Sequence, residues 1–150
     1  AHAGWRGTVG GIGRNMTEVF ADKYGTNPGD LYVAIGPSIC GECYEVGEEG
    51  VEQVRDALPN HLKQYTDVSR EAGTQDTNRI VFCRPDAPPG KYQLDLQVLN
   101  RLLLVEAGIP EDHIFVTDIC TKCNPELLFS YRVMGEKRGN LAAFLKIGGE

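Results

Sequence analysis

The residues best suited to chemistry stand at the start of the sequence. His2 precedes a glycine-rich turn, Gly4-Trp5-Arg6-Gly7, that opens a helical pattern. A helix start leaves backbone N–H groups unpaired and carries the positive end of the peptide dipoles. Arg6 adds a permanent cation whose planar fork suits phosphate or carboxylate. Together they describe an anion site beside a candidate metal ligand. The same residues also fit a satisfied histidine and a surface arginine, and spacing does not separate the two readings. Gly11-Ile12-Gly13 is no dinucleotide fingerprint, because Met16 holds the third glycine's place, and no Walker lysine is present.

The second set is cysteine. Cys40-x-x-Cys43 and Cys120-x-x-Cys123 each have the spacing of half a zinc site, and four thiolates would form a closed tetrahedral shell. Yet 76 residues separate Cys43 from Cys120, where zinc ribbons use about 15–20. The flanks "CYEVGEE" and "DICTKCN" are not ribbon knuckles either. The reading preferred here is four small buried thiols, with a dithiol redox pair as a further option.

Asp118 and Thr121 follow a short apolar run, where loops commonly build sites. Asp95 stands near a helix start, where charge compensation explains it without any function. Asn100 falls mid-helix and reads as solvated. Phe129-Ser130-Tyr131-Arg132 places a hydroxyl, rings and a guanidinium within four residues, which suits a stacked base, an anion or an ordinary packed loop. His61 and His113 lack ligand spacing and read as surface residues.

The elements that must position these groups follow from apolar periodicity. Residues 8–24 read as one helix stopped by Gly25, and 31–35 as a buried strand ended by Gly36-Pro37. Residues 46–58 read as an acidic helix stopped by Pro59, and 61–78 as a polar excursion of mixed structure. Residues 80–83 form a brief strand and 85–90 a loop. The strongest helix is 93–107, with Leu94, Val98, Leu102 and Val105 on one face and Gly108 and Pro110 closing it. Strands are expected at 114–117 and 141–147. Alternating helices and strands predict an α+β (mixed α/β) fold, with layered sheets flanked by helices.

Composition sets outer limits. Hydrophobic residues make up 41% of 150, enough for a core in one domain. The net charge of -6 argues against gripping a nucleic-acid backbone, and no basic run suits an anionic membrane surface. An odd count of five cysteines, with no signal-peptide pattern at the start, points to reduced thiols and a cytoplasmic setting. The absence of an initial Met, with Trp5 in a turn at the first residues, reads as a chain that begins in mid-domain.

In order along the chain stand "AHAGWRGT", "AIGPSICGECYEVG", "YQLDLQVLNRLLLVEAGI", "VTDICTKCNPELLFSYR" and "GNLAAFLKI". Over residues 1–147 this series resembles the laccase-domain family. That family was first described as multicopper polyphenol oxidoreductases and is now usually regarded as purine nucleoside phosphorylases with adenosine deaminase activity. The resemblance implies that residues 1–150 are the carboxy-terminal portion of a single domain whose N-terminal part is missing. It also implies a zinc held by two histidines and a cysteine, with His2 as the one ligand present here. The others belong to upstream motifs ending "VHG" and containing "DC", and the four paired cysteines do not replace them. Arg6, Asp118 and Thr121 are then expected to be catalytic. Gly4, Trp5, Gly7, Tyr44, Ser130, Tyr131 and Arg132 are expected to bind substrate, purine nucleosides and phosphate.

Two departures stand out. Many members have Arg-Asp where Val133-Met134 stand here, and an arginine at Asn140, with Arg138 a nearby substitute. Zinc is expected over copper, since only three histidines exist and copper oxidases need a histidine-rich shell. Rival functions are a peptidoglycan-precursor editing hydrolase using a reactive cysteine, a polyphenol oxidase, and a non-enzymatic zinc module held by the four paired cysteines. One imidazole is not a site, so the chain alone is expected to hold zinc weakly.

Overall fold

Two glycines divide the first helical pattern. In the computed structural model, which describes residues 1–68 and 78–146, α1 covers Trp5–Val9 and α2 covers Ile12–Tyr24. Gly11 between them takes φ 78°, a left-handed conformation that costs a side-chain-bearing residue strain. The single helix expected over 8–24 is therefore a pair of helices. Gly25 ends α2 as expected, again left-handed at φ 66°. Gly13 is small for a different reason: a Cβ there would lie 3.2 Å from Leu104 Cδ2, so its absence lets α2 lie close on a later helix.

That later helix is α4 (Leu96–Glu106), and it starts at Leu96 rather than Gln93. Asp95 caps it, its carboxylate accepting from the backbone N–H groups of Gln97 at 2.9 Å and Val98 at 3.0 Å. The residues just before are a strand, so Leu94 leaves the expected apolar face. The helix instead buries Leu96, Leu99 and Leu104, with Val98 and Leu102 half-buried beside them and Val105 turned to solvent.

Among the described residues the sheets are small and two in number. Strand β1 (Val33–Ile35) pairs in parallel with β5 (Ile114–Val116), Val33 facing Ile114 and Ile35 facing Val116. The other sheet is antiparallel in the order β2-β4-β3, from Glu45–Gly47, Lys91–Leu94 and Val81–Phe82. Val46 thus belongs to β2, and α3 begins only at Glu48 and runs to Ala57. The fold is mixed α/β, as the alternation predicts.

Burial divides along α4. Its first turns, with Leu96 and Leu99, join Val51 and Val54 of α3, Leu58, Leu62, Ile80, Val81 and Leu94 in the larger core. Its last turn, with Leu104, joins Ile109 and Ile114 beneath Leu31, Val33 and Ile35. One helix therefore ties both sheets together. Within 61–78, part of the expected excursion is a 3-10 helix at Asn60–Thr66 that buries Leu62 and Thr66, and 69–77 lie outside the described residues.

Two further expectations are overturned. Residues 141–146 form no strand: among the described residues none offers them a ladder partner, and Phe144 is 95% exposed. Ile147 lies outside the described residues. Asn100 is not solvated. Its Nδ2 donates to the Leu96 carbonyl at 2.7 Å, and its Oδ1 lies 3.2 Å from the hydroxyl of buried Thr8 on α1. Thr8 Oγ1 also lies 3.1 Å from the Ala3 carbonyl, so its single proton has two acceptors and the start of the chain is tied to α4.

Leu99 is fully buried, so Leu99→Ala is expected to cost about 2–5 kcal/mol of unfolding free energy, read from a lowered midpoint of urea unfolding. Asn100→Ala should cost about 1 kcal/mol in the same measurement. A solvated asparagine would leave the midpoint unmoved.

Candidate functional site

Crowding around His2 explains two of the turn's glycines. A Cβ on Gly4 would lie 3.0 Å from His2 Nε2, and one on Gly7 would lie 3.1 Å from the His2 carbonyl. The exposed imidazole is thus folded back over the turn that follows it. Trp5 is half-buried against the larger core, and the Arg6 guanidinium lies 4.5 Å from the centre of its ring. Because α1 is only five residues long, few peptide dipoles add at its start, and the cation here is Arg6 rather than the helix.

The 129–132 segment supplies a second guanidinium. Arg132 opens the short helix α5 (Tyr131–Met134) together with Tyr131. It lies 4.9 Å from the Tyr44 ring centre and donates from Nη2 to the Glu45 carbonyl at 3.1 Å. Burial holds the Tyr44 phenol above its ordinary pKa, while the charges of Arg132 and Arg6 pull it back down. The fold therefore brings the charges of Arg6 and Arg132, more than a hundred positions apart in the chain, to act on Tyr44.

Other expected site residues fall less centrally. Ser130 is buried and its carbonyl accepts from Met134 N–H at 2.9 Å, so it starts α5. Tyr131 is exposed, with the Arg138 guanidinium 5.7 Å from its ring centre. Gly139 lies beneath Phe129, where a Cβ would come within 2.5 Å of the ring. Thr121 is buried and its N–H donates to the Ser38 carbonyl at 3.0 Å. Asp118 is exposed on the loop after β5. Neither of these two is hydrogen-bonded to the arginine pair. His61 meets Glu106 at 2.9 Å, and His113 is half-buried, its ring stacked on Tyr32 at 4.0 Å.

The preferred reading of the cysteines is corrected. Cys40, Cys43, Cys120 and Cys123 place their sulfurs within 4.8 Å of one another, a group able to hold a metal ion. Only Cys120 is buried, and Cys123 is exposed. The cause is the parallel pairing of β1 and β5. Beyond the strands Ser38 and Cys120 form a further parallel bridge, so both Cys-x-x-Cys turns emerge at one edge. The Sγ atoms of Cys43 and Cys123 are 3.5 Å apart. Cys120 Sγ accepts from the backbone N–H groups of Cys40 at 3.3 Å and Cys123 at 3.4 Å.

Those amides divide the charge unevenly. Burial alone would raise the Cys120 thiol, but the N–H donors bring it down to about 6. Burial and the bond to Cys120 push Cys40 up to about 12. Hydrogen bonds to Cys43 and Cys120 push Cys123 up to about 11. Sequence reasoning had the signal: each pair follows a short apolar strand by about the same number of residues.

A mixed α/β fold with an arginine on a half-buried tyrosine, a second arginine's charge acting on the same phenol, and a four-thiol cluster next in sequence is the class these features define. Residues 1–148 match the multi-copper polyphenol oxidoreductase laccase family, and the chain belongs to that family. It is 39% identical over 145 residues to purine nucleoside phosphorylase YlmD of Bacillus subtilis, covering 97% of this chain and 45% of that protein. Against adenosine deaminase RL5, from an unknown prokaryotic organism, it is 36% identical over 139 residues, covering 93% and 46%. The crystal structure of YlmD from Geobacillus stearothermophilus superposes with a TM-score of 0.69 at 39% identity, over 88% of this chain and 42% of that one. The chain thus spans about half the length of the relatives it matches.

Arg132→Gln removes one of the two cations acting on Tyr44, so the phenol should titrate at higher pH than in the parent protein. Ultraviolet difference titration against a Tyr44→Phe control reads this directly. A downward shift or none would contradict the arrangement.

Proposed function

We propose that the protein carrying this chain is a cytoplasmic purine nucleoside phosphorylase that also deaminates adenosine. The observation that carries the reading is Arg132 on the Tyr44 ring, with the charge of Arg6, from the turn that holds His2, also acting on that phenol. Relatives named as a purine nucleoside phosphorylase and as an adenosine deaminase support it. Cysteines that are all free suit a reducing compartment. No helix among the described residues is long and apolar enough to cross a membrane.

In a chain of net charge -6, a dianionic nucleophile needs a local cationic seat to be bound at all. Arg6 and Arg132 supply two forks for phosphate oxygens, and both are preorganised by aromatic rings. Phosphate held there would attack C1′ of the ribose as the purine departs. The exposed ring of Tyr131 offers a face for the base. Gly4 and Gly7 keep the turn narrow enough for the His2 ring to stay close to it. Asp118 is the acid–base candidate. Thr121, being buried, acts as a positioning residue through its bond to Ser38.

The family's zinc does not fit this chain alone. Among the described residues His2 joins no group of three metal-binding side chains. We assign His2 one ligand position in the whole protein and route no step through the metal here. Zinc is preferred to copper because the three histidines are not grouped. The chain reads as the carboxy-terminal portion of one domain. Exposed Phe115, Val116, Phe144 and Leu145 offer apolar surface for the remaining length of that domain to cover.

The test uses the whole protein. Phosphate-dependent release of base from inosine, and ammonia release from adenosine, should both be measurable. Arg6→Ala and Arg132→Ala should each raise KM for phosphate about 10- to 100-fold, the loss expected of one charged hydrogen bond. KM for the nucleoside should change much less. A phosphate KM that both variants leave unchanged would remove the basis of the proposal.

A further inference from the structure

Of the candidate groups outside the arginine site, the four-cysteine cluster is the one whose geometry implies a specific ligand. We propose that Cys40, Cys43, Cys120 and Cys123 bind one zinc ion in a closed tetrahedral thiolate shell, as a structural site separate from any metal held by His2. This inference does not rest on the nucleoside reading.

The spacing fits. Zinc–sulfur bonds of about 2.3 Å place tetrahedral sulfurs about 3.8 Å apart. Here the four sulfurs all lie within 4.8 Å of one another, and the Cys43–Cys123 pair is at 3.5 Å. Small movements of two short turns would seat an ion without changing the fold. The donor set is also selective. Four thiols with no carboxylate or imidazole among them favour a soft, tetrahedral ion over magnesium, calcium or copper(II).

The surroundings are those of a thiolate. Cys120 Sγ already accepts two backbone N–H groups, from Cys40 and Cys123. Such donors fix the ligand's orientation and offset the net negative charge left when a dication meets four thiolates. On binding, the thiols give up their protons to solvent and no electron moves. A redox dithiol needs only two sulfurs in reach, and no second pair has to converge on them. Exposure of Cys123 leaves a way in for the ion.

The ion would have a definite task. Turn 40–43 leads directly to Tyr44, and turn 120–123 leads to the 129–132 segment that carries Arg132. Joining the turns would hold Tyr44 against its guanidinium partner. Weak zinc binding, expected when His2 was the sole ligand, is replaced by tight binding through sulfur.

The test again uses the whole protein, loaded with zinc or with cobalt(II). Cobalt should give intense sulfur-to-metal charge-transfer absorption, of the strength that several thiolates give, that persists in His2→Ala and falls to at most that of a single thiolate in the Cys43→Ser/Cys123→Ser double variant. With zinc bound, Cys123 should alkylate at least about tenfold more slowly than after chelation, while Cys83, outside the cluster, keeps its rate. The alkylation arm needs no variant, so a misfolded double mutant leaves the question decidable. Charge-transfer absorption no stronger than a single thiolate gives in folded parent protein, or Cys123 reactivity indifferent to zinc, would overturn the site. Iron in place of zinc in the purified protein would overturn the choice of ion. Loss of phosphorolysis in the arginine variants bears on none of these readouts.

Discussion

Parallel pairing between two three-residue strands is the constraint on which the candidate sites depend. β1 and β5 lie some eighty residues apart in sequence, yet their parallel alignment makes both chains leave the sheet at the same edge. The segments that succeed the two strands are therefore brought together: Ser38 with Cys120, one cysteine turn with the other, and beyond them Tyr44 with Arg132. A two-stranded parallel ribbon has little stability of its own. It is held because Leu104 of α4, with Ile109 and Ile114, packs under Leu31, Val33 and Ile35. The same helix reaches into the larger core through Leu96 and Leu99, so the position of the strands and the antiparallel sheet are set by one rigid element.

Arginine on an aromatic face recurs around the arginine site. Arg6 lies on Trp5, Arg132 on Tyr44 and Arg138 on Tyr131. A ring face holds the flat guanidinium through its quadrupole while leaving edge N–H groups available to a ligand. Side-chain entropy is lost in folding instead of at binding, which favours recognition of a small anion. Arg138 shows how the chain accommodates Asn140, where many family members have arginine. Its Nη1 reaches Asn140 Oδ1 at 3.3 Å, and Gly139 beneath Phe129 keeps that segment close.

Much of this was legible from the residues because it is local. Gly25 as a stop, Asp95 at a helix start and the short apolar runs around Val33 and Phe115 are decided by neighbours in sequence, and the structure agrees. His2, Arg6, Tyr44 and Arg132 could be singled out from residue type and resemblance; of these, Arg132 lies on the Tyr44 ring, and the charge of Arg6 also acts on that phenol. What could not be read depends on distant partners. β4 looks like the start of a helix until Val46 and Val81 are set beside it. Residues 141–146 have a strand's composition but no partner among the described residues. Asn100 needs Thr8, ninety-two positions away, before it has a role. The cysteines were misread because a spacing rule for contiguous ribbons was applied to turns that parallel strands bring together.

The strand-to-turn connections also carry a phase. Val33 stands opposite Ile114, 81 positions on, whereas Ser38 stands opposite Cys120, 82 positions on. One extra residue is thus absorbed between Val116 and Cys120, as in a bulge. Lengthening either short connector by a residue would rotate one turn out of alignment with its counterpart. Homologues should therefore resist insertions within 36–39 and 117–119.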